Sequence, residues 1–447
     1  MSNALTDMFR IKELRRKIII TLLLLAASRI GTVIPIPGIN PTVLRAYFLS
    51  QSSSTTIGIT EYLNFFSGGA FSNFSLFMLG VMPYISMQII LQLLMLIIPS
   101  LKKLSQDPSG RKKIQRYNRY GTIIICLIES YVVTIYARSI PNVLTISLTE
   151  FTFIALLSVT TGTMLLIWLG EKITQFGVGN GISLLIFAGI VARIPTGLNT
   201  LIRGVAAGTY NPVLIVVLFL MFIVVITLVV FEEEGQRKIP VDYAKRVVGR
   251  KMYGAQSTYI PFKINPSGVI PVIFASAILS FPLQIASSLG ARVPWLQKVA
   301  DALNPQGALY LSIYTLLIIS FAFFYTQVSL NPQEMAKNIR ENGGTVRGVR
   351  PGKDSLGRDF LEVYLSKVLN RIVLPGALFL AFIALIPTLV QIIFGFPQSV
   401  AMLFGGTSMM ILVGVDLEMM RQIEAEMKTH HFDGIFDPKR KKKAKNL

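Results

Sequence analysis

An all-α polytopic membrane protein is the fold class that the sequence predicts. Three observations carry it: a charge-poor composition, ten long apolar runs, and basic residues that collect in every second loop. Of the 447 residues, 52% are hydrophobic and 15% charged, and the mean hydropathy is +0.59. An ordinary soluble chain is about 25% charged, so most of this one requires an apolar solvent. The 43 Lys and Arg outnumber the 23 Asp and Glu, an excess that serves either membrane topology or nucleic-acid binding. The single cysteine, Cys126, and two histidines, His430 and His431, give no disulfide framework, no Cys/His metal cluster and no histidine base in the apolar body. Neither an enzyme nor a metal or cofactor site is expected.

A helix rising 1.5 Å per residue needs about 20 apolar residues to cross a hydrocarbon core of about 30 Å. Ten candidate spans satisfy this, near 18–37, 74–98, 119–138, 151–170, 181–202, 212–231, 268–289, 308–330, 372–394 and 398–417. Ahead of the first, the basic stretch 10–17 leads into an apolar run reaching Pro35 without a clear small-x-small cleavage site, so a retained span is expected rather than a cleaved leader. The first span carries Arg29, and the fifth is interrupted by Arg193, Pro195 and Gly197. Such groups snorkel or face protein.

Assigning the basic residues to alternate sides of these spans puts 36 of the 43 on one side and six on the other, with Arg29 inside a span. That asymmetry predicts an even span count with both termini cytoplasmic. The positive charge is therefore mainly topological. Division after the fifth span, near residue 205, gives an N-terminal half of 1–205 and a C-terminal half of 206–447. An odd number of spans per half makes the halves an inverted repeat.

Two features stand outside this pattern. The stretch 61–72, on the side opposite the termini, is apolar but only about 12 residues long, too short to cross. It reads either as a re-entrant half-helix, tolerated only within protein or a water-filled cavity, or as a helix lying in the interface. The loops 232–267 and 331–371 are far longer than ordinary connections. Their interleaved basic, aromatic and apolar residues, such as Tyr243-Ala244-Lys245-Arg246 and Tyr253, predict an ordered docking surface. The Lys-rich run 439–445 reads instead as a tail near anionic lipid.

The sequence resembles the SecY/Sec61-alpha family in segments spread in family order over nearly the whole chain. These include Phe66-Ser67-Gly68-Gly69-Ala70, Gly80-Val81-Met82-Pro83-Tyr84-Ile85-Ser86, Trp168-Leu169-Gly170-Glu171, Gly177-Val178-Gly179-Asn180-Gly181-Ile182-Ser183, Gln256-Ser257-Thr258, Gly268-Val269-Ile270-Pro271, Gly348-Val349-Arg350-Pro351-Gly352 and Phe404-Gly405-Gly406-Thr407-Ser408. The resemblance implies ten helices in two pseudo-symmetric halves around an hourglass pore. It makes 61–72 a plug in that pore, with Tyr62, Phe65, Phe66, Ser67, Gly68, Gly69, Ala70 and Phe71 as plug residues. It also implies a constriction ring of Val81, Ile85, Ile182, Ile186, Ile273 and Ile411. Branched apolar side chains of this kind oppose hydrated ions by dewetting yet offer a passing peptide no strong partner.

By the same resemblance, a lateral gate lies between helices two and three and helices seven and eight, with Ser86, Gln88, Gln92, Glu129, Ser130, Phe281 and Pro282. Gln88 and Gln92, spaced i, i+4, share a helix face. The long basic loops become the surface for a motor or ribosome, through Tyr243, Arg246, Arg250, Lys251, Arg347 and Arg350. No Walker A pattern occurs, so the implied activity is passive, gated conduction of unfolded signal-bearing preproteins, with lateral release of hydrophobic segments into membrane lipid. The implied partners are SecE, SecG, the SecA ATPase, the ribosome and, more remotely, SecDF and YidC. A bacterial inner membrane is the default location and a thylakoid the alternative. The main rival is a secondary transporter, which also uses inverted repeats, but the spans hold few charged groups to bind a polar solute or a coupling ion.

Overall fold

The computed structural model describes residues 11–50, 64, 67–243, 246–248, 251–253, 257–289, 294–304, 307–350, 352–354, 357–396 and 398–436. Among the described residues these helices run in chain order: α1 Lys12–Ile30, α2 Pro41–Ser50, α3 Met82–Ile97, α4 Pro99–Gln106, α5 Pro108–Ser139, α6 Leu148–Phe176, α7 Gly181–Ala206, α8 Pro212–Glu234, α9 Ile270–Leu289, α10 Pro294–Ala302, α11 Ala308–Ser329, α12 Pro332–Glu341, α13 Phe360–Phe394, α14 Gln398–Leu403 and α15 Gly406–Phe436.

Nine of the ten expected spans each fall on one of these helices and the tenth falls on α14 and α15; among the described residues seven helical stretches are long and apolar enough to cross a membrane. An eighth span arises if α3 and α4 count as one helix bent by 112°. Several helices run beyond the expected windows, among them Pro108–Ser139 and Phe360–Phe394, and at two boundaries the local cause is visible. The first helix ends at Ile30 rather than 37 and begins in the basic stretch at Lys12, because Lys and Arg can continue a helix beyond the apolar layer. The second begins at Met82 rather than 74: residues 76–81 form turns, and Phe74 has a φ of 42° that a helix does not accept. The fifth, by contrast, runs unbroken through Pro195.

Helix starts follow local chemistry. Proline occupies the first turn of α3, α4, α5, α8 and α12, where a missing N–H costs nothing. Asn180, Asn211, Asn331 and Asp359 accept backbone N–H bonds at the starts of α7, α8, α12 and α13. Ser147 caps α6, its Oγ accepting the Glu150 N–H at 3.4 Å and donating to the Glu150 carboxylate at 2.8 Å.

The long basic loops hold the strands that the all-α expectation omitted. Strand β1 (Gln236–Tyr243) pairs antiparallel with β4 (Ser257–Lys263) and β5 (Gly344–Val346), in the order β4-β1-β5. Between them, β2 (Arg246–Val248) and β3 (Lys251–Tyr253) form a two-stranded extension. Ile239, Val241 and Phe262 are buried with Val346, Ile339 of α12 and Leu365 of α13. The two loops thus fold together as one body rooted on α8 and α13.

Candidate functional site

The expected ring residues come from α3, α7, α9, α15 and the turn before α3, and they meet in one apolar cluster. Val81, Ile85, Ile186 and Ile411 are buried in it, and Ile182 and Ile273 are half-buried against it. Ala70, expected in the plug, is fully buried in the same cluster. Two cavities open from this point. One, of about 670 Å³, is lined by Ile85, Ile182, Ile186 and Ile273 together with Gln88, Gln92, Arg119 and Glu171. The other, of about 520 Å³, is lined by Ile186, Ile273 and Ile411 with Glu233, Lys263, Asn265 and Arg421. Both include Asn180 and Ser183 of the α6–α7 connection. The arrangement is a polar vestibule with an apolar floor.

Close helix approach brings the floor together. A methyl group on Gly181 would lie 1.8 Å from the Gly170 carbonyl oxygen, so only glycine lets α7 begin directly against α6. This is the packing reason for the Gly-rich run at 177–181. The vestibule wall carries a pair that the sequence reading missed: Arg119 of α5 donates through Nε and Nη2 to the Glu171 carboxylate of α6 at 2.9 and 2.8 Å. Residues 52 positions apart carry no local signal of pairing.

The plug expectation divides. Tyr62, Phe65 and Phe66 lie outside the described residues. Asn64 is helical, whereas 67–72 are turns, so a helix over all of 61–72 is corrected. After Asn64 the chain turns back: Gly68 has a φ of +66° and the Gly69 N–H bonds to the Asn64 carbonyl at 2.9 Å, the 6→1 bond that a Schellman motif uses. Ser67 is buried at this closure, its Oγ accepting the Phe71 N–H at 3.1 Å. Phe71 then leaves the pore cluster for an aromatic group with Phe74 and Tyr136.

At the expected gate, α9 packs broadly on α11 but only sparsely on α3 and α5. Gln88 and Gln92 both line the larger cavity, as their shared face requires, and Gln92 Oε1 is buried without a hydrogen-bond partner among the described residues. Ser130 on α5 is fully buried, its Oγ likewise without a partner among them. Ser86 and Glu129 are half-buried and Pro282 is exposed. The side chain of Phe281 lies outside the described set.

In the paired loops, Tyr243 ends β1 beside Gly344. Arg347 follows β5 and donates through Nε to Asp242 Oδ2 at 2.7 Å, and this hydrogen bond raises the guanidinium above its ordinary value. Arg350 is exposed on the turn that Val349 closes by donating to the Val346 carbonyl at 3.2 Å. Arg246 and Lys251 lie on β2 and β3, with their side chains outside the described set, and Arg250 lies outside it altogether. Among the described residues no group of three or more His, Cys, Asp or Glu could hold a metal.

The SecY family matches residues 75–420. A protein translocase subunit SecY of Borreliella burgdorferi is 42% identical over 434 residues, covering 97% of each chain. One of Thermotoga maritima is 42% identical over 442 residues, covering 97% of this chain and 98% of its own. A solved SecY structure, whose plug domain is described as stabilising the closed state of the translocation channel and maintaining a membrane seal, aligns over 92% of each chain with a TM-score of 0.62 and 20% identity.

Proposed function

This chain belongs to the SecY family, and from that premise we infer how its parts divide the work of a channel. It is the central, non-enzymatic subunit of a protein-conducting channel in a membrane. Its pore moves unfolded signal-bearing preproteins and releases hydrophobic segments sideways into lipid. The observation that carries this reading is the convergence of Val81, Ile85, Ile182, Ile186, Ile273 and Ile411 with Ala70 at the floor of a polar vestibule. An apolar constriction of that kind dewets when closed and binds no passing side chain strongly.

The finer assignments rest on this arrangement. The halves 1–205 and 206–447 open along the sparse contact of α9 with α3 and α5. A signal sequence or nascent membrane helix enters there, and its composition decides its fate: each central Leu, Ile or Phe gains about 0.3 to 0.6 kcal/mol in lipid, whereas Lys or Asp costs about 2.5 to 3.5 kcal/mol. The plug, ending at the Gly68 closure, leaves the floor as the seam parts. Drive comes from SecA or a translating ribosome, docked on the sheet and on Arg350. SecE and SecG complete the channel, SecDF and YidC associate with it, and the termini face the cytoplasm of a bacterial inner membrane.

The test is protease protection of an unfolded signal-bearing precursor, with vesicles containing this protein and SecE and with SecA and ATP outside. Protection dependent on both is expected. If orientation and SecE binding are verified and no precursor is protected, conduction fails as the function. Deleting 61–72 should raise resting ion leakage without abolishing protection, and a deletion mutant as tight as the parent would remove the plug assignment.

A further inference from the structure

Two arginines that the channel reading leaves unused meet the plug at its closing turn. Arg29 of α1 is half-buried, and its Nε and Nη1, which solvent does not reach, have no hydrogen-bond partner among the described residues. A methyl group on Gly68 would lie 2.5 Å from Arg29 Nη1 and 2.8 Å from the Gly189 Cα of α7. The turn is therefore pressed between α1 and α7. One helical turn beyond Gly189, on the same face of α7, Arg193 donates through Nη1 to the Asn64 carbonyl at 3.3 Å. That carbonyl also accepts from Gly69, and the Asn64 side-chain oxygen accepts the Ser72 N–H at 3.1 Å. Asn64 is thus the knot of the turn. A methyl group on Gly69, by contrast, would meet no described residue within 4 Å.

The last carbonyls of a helix carry partial negative charge and attract cations, an effect that weakens within one turn. Here two cations on separate helices bracket the closing turn. We propose that Arg29 and Arg193 are positioning residues that hold the plug closed by the Asn64 carbonyl and the turn at Gly68, gripping that turn from α7 and α1 together. The inference rests on 61–72 being the plug. The grip is of a kind that opening can undo: the bond goes to a main-chain carbonyl, so it depends on the position of the turn and on no partner side chain. As the halves part, the turn can slip from between α1 and α7 without breaking a side-chain pair. An arginine inside a span is costly unless it serves protein or water, and the grip gives both of them a use.

The test measures resting chloride leak from vesicles holding the complete channel complex, comparing the parent, Arg193→Gln, Arg193→Lys, Arg29→Gln, deletion of 61–72, and the deletion combined with Arg193→Gln. The expected result is a severalfold rise in leak for either Gln variant, partial rescue by Arg193→Lys, and no further rise when Arg193→Gln is added to the deletion. Arg193→Gln lies at a partly buried surface, so it reports even if Arg29→Gln does not assemble. A leak from Arg193→Gln that persists at full size on top of the deletion would show that the arginine acts elsewhere and would overturn the proposal. So would a tight Arg193→Gln channel beside a leaky deletion. If the deletion itself does not leak, the plug reading fails first and takes the grip with it.

Discussion

The paired-loop sheet and the pore floor lie in one chain but are held by opposite kinds of force. The sheet is a ladder with fixed register, Val241 facing Val346 and Ile239 facing Ile260, reinforced by the Arg347–Asp242 bond. The floor is branched aliphatic side chains with no directional bond between them, and beside it Gln92 Oε1 of α3 and Ser130 Oγ of α5 are buried without partners among the described residues. Directional bonds fix a shape, which a docking surface needs; non-directional contact re-forms around whatever passes, which a gate needs. The molecule spends its hydrogen bonds where it must stay the same and withholds them where it must change.

The sharpest way to break this contrast is at Phe262, fully packed under the sheet. Phe262→Ala should lower the local opening free energy of β1 by about 3 to 5 kcal/mol, read as faster amide exchange over 236–243. If exchange there is unchanged, the sheet is not held by its core. Next comes Arg350→Glu, which should cut stimulation of SecA ATP hydrolysis by about tenfold or more, since opposing a charge that complements a partner costs at least about 1.4 kcal/mol. Undiminished stimulation would remove Arg350 from the docking surface.

At the seam the expected sign reverses. Gln92→Leu replaces an unpartnered buried carbonyl with an apolar group, so it should stabilise the closed state by about 1 kcal/mol and slow precursors with weak signal sequences more than those with strong ones. Equal slowing of both would place Gln92 outside the gate. The smallest effect expected is that of pH on the Arg347–Asp242 bond. The Arg347 value is raised on folding, so its contribution is complete below the ordinary guanidinium range and is lost only as pH climbs through the raised value. Arg347 should therefore impose no slope on amide exchange protection of β1 across neutral pH, and a slope that Arg347→Gln removes would contradict it.

The same contrast sets what the sequence made legible. Spans were legible because a membrane crossing needs a local, continuous signal, and all ten expected windows fall on helices. The sheet was not, because its burial alternates at only two positions of β1, Ile239 and Val241, on either side of Pro240, and because β5 arrives from 100 residues away. The basic–aromatic texture of those loops did point to an ordered surface. Ring residues pose the reverse problem: each is one Ile or Val among many, so their selection came from resemblance and their convergence only from the folded chain. Helix ends failed where a single backbone angle decides them, as at Phe74 and Gly68.

Leu14 of α1 and Ile423 of α15 bury together against Val178, and Lys17 pairs with Glu426. The chain thus returns to its own beginning and clasps it. The two halves therefore meet through α1 and α15 as well as through α9, and a parting along α9 alone would leave that second junction in place.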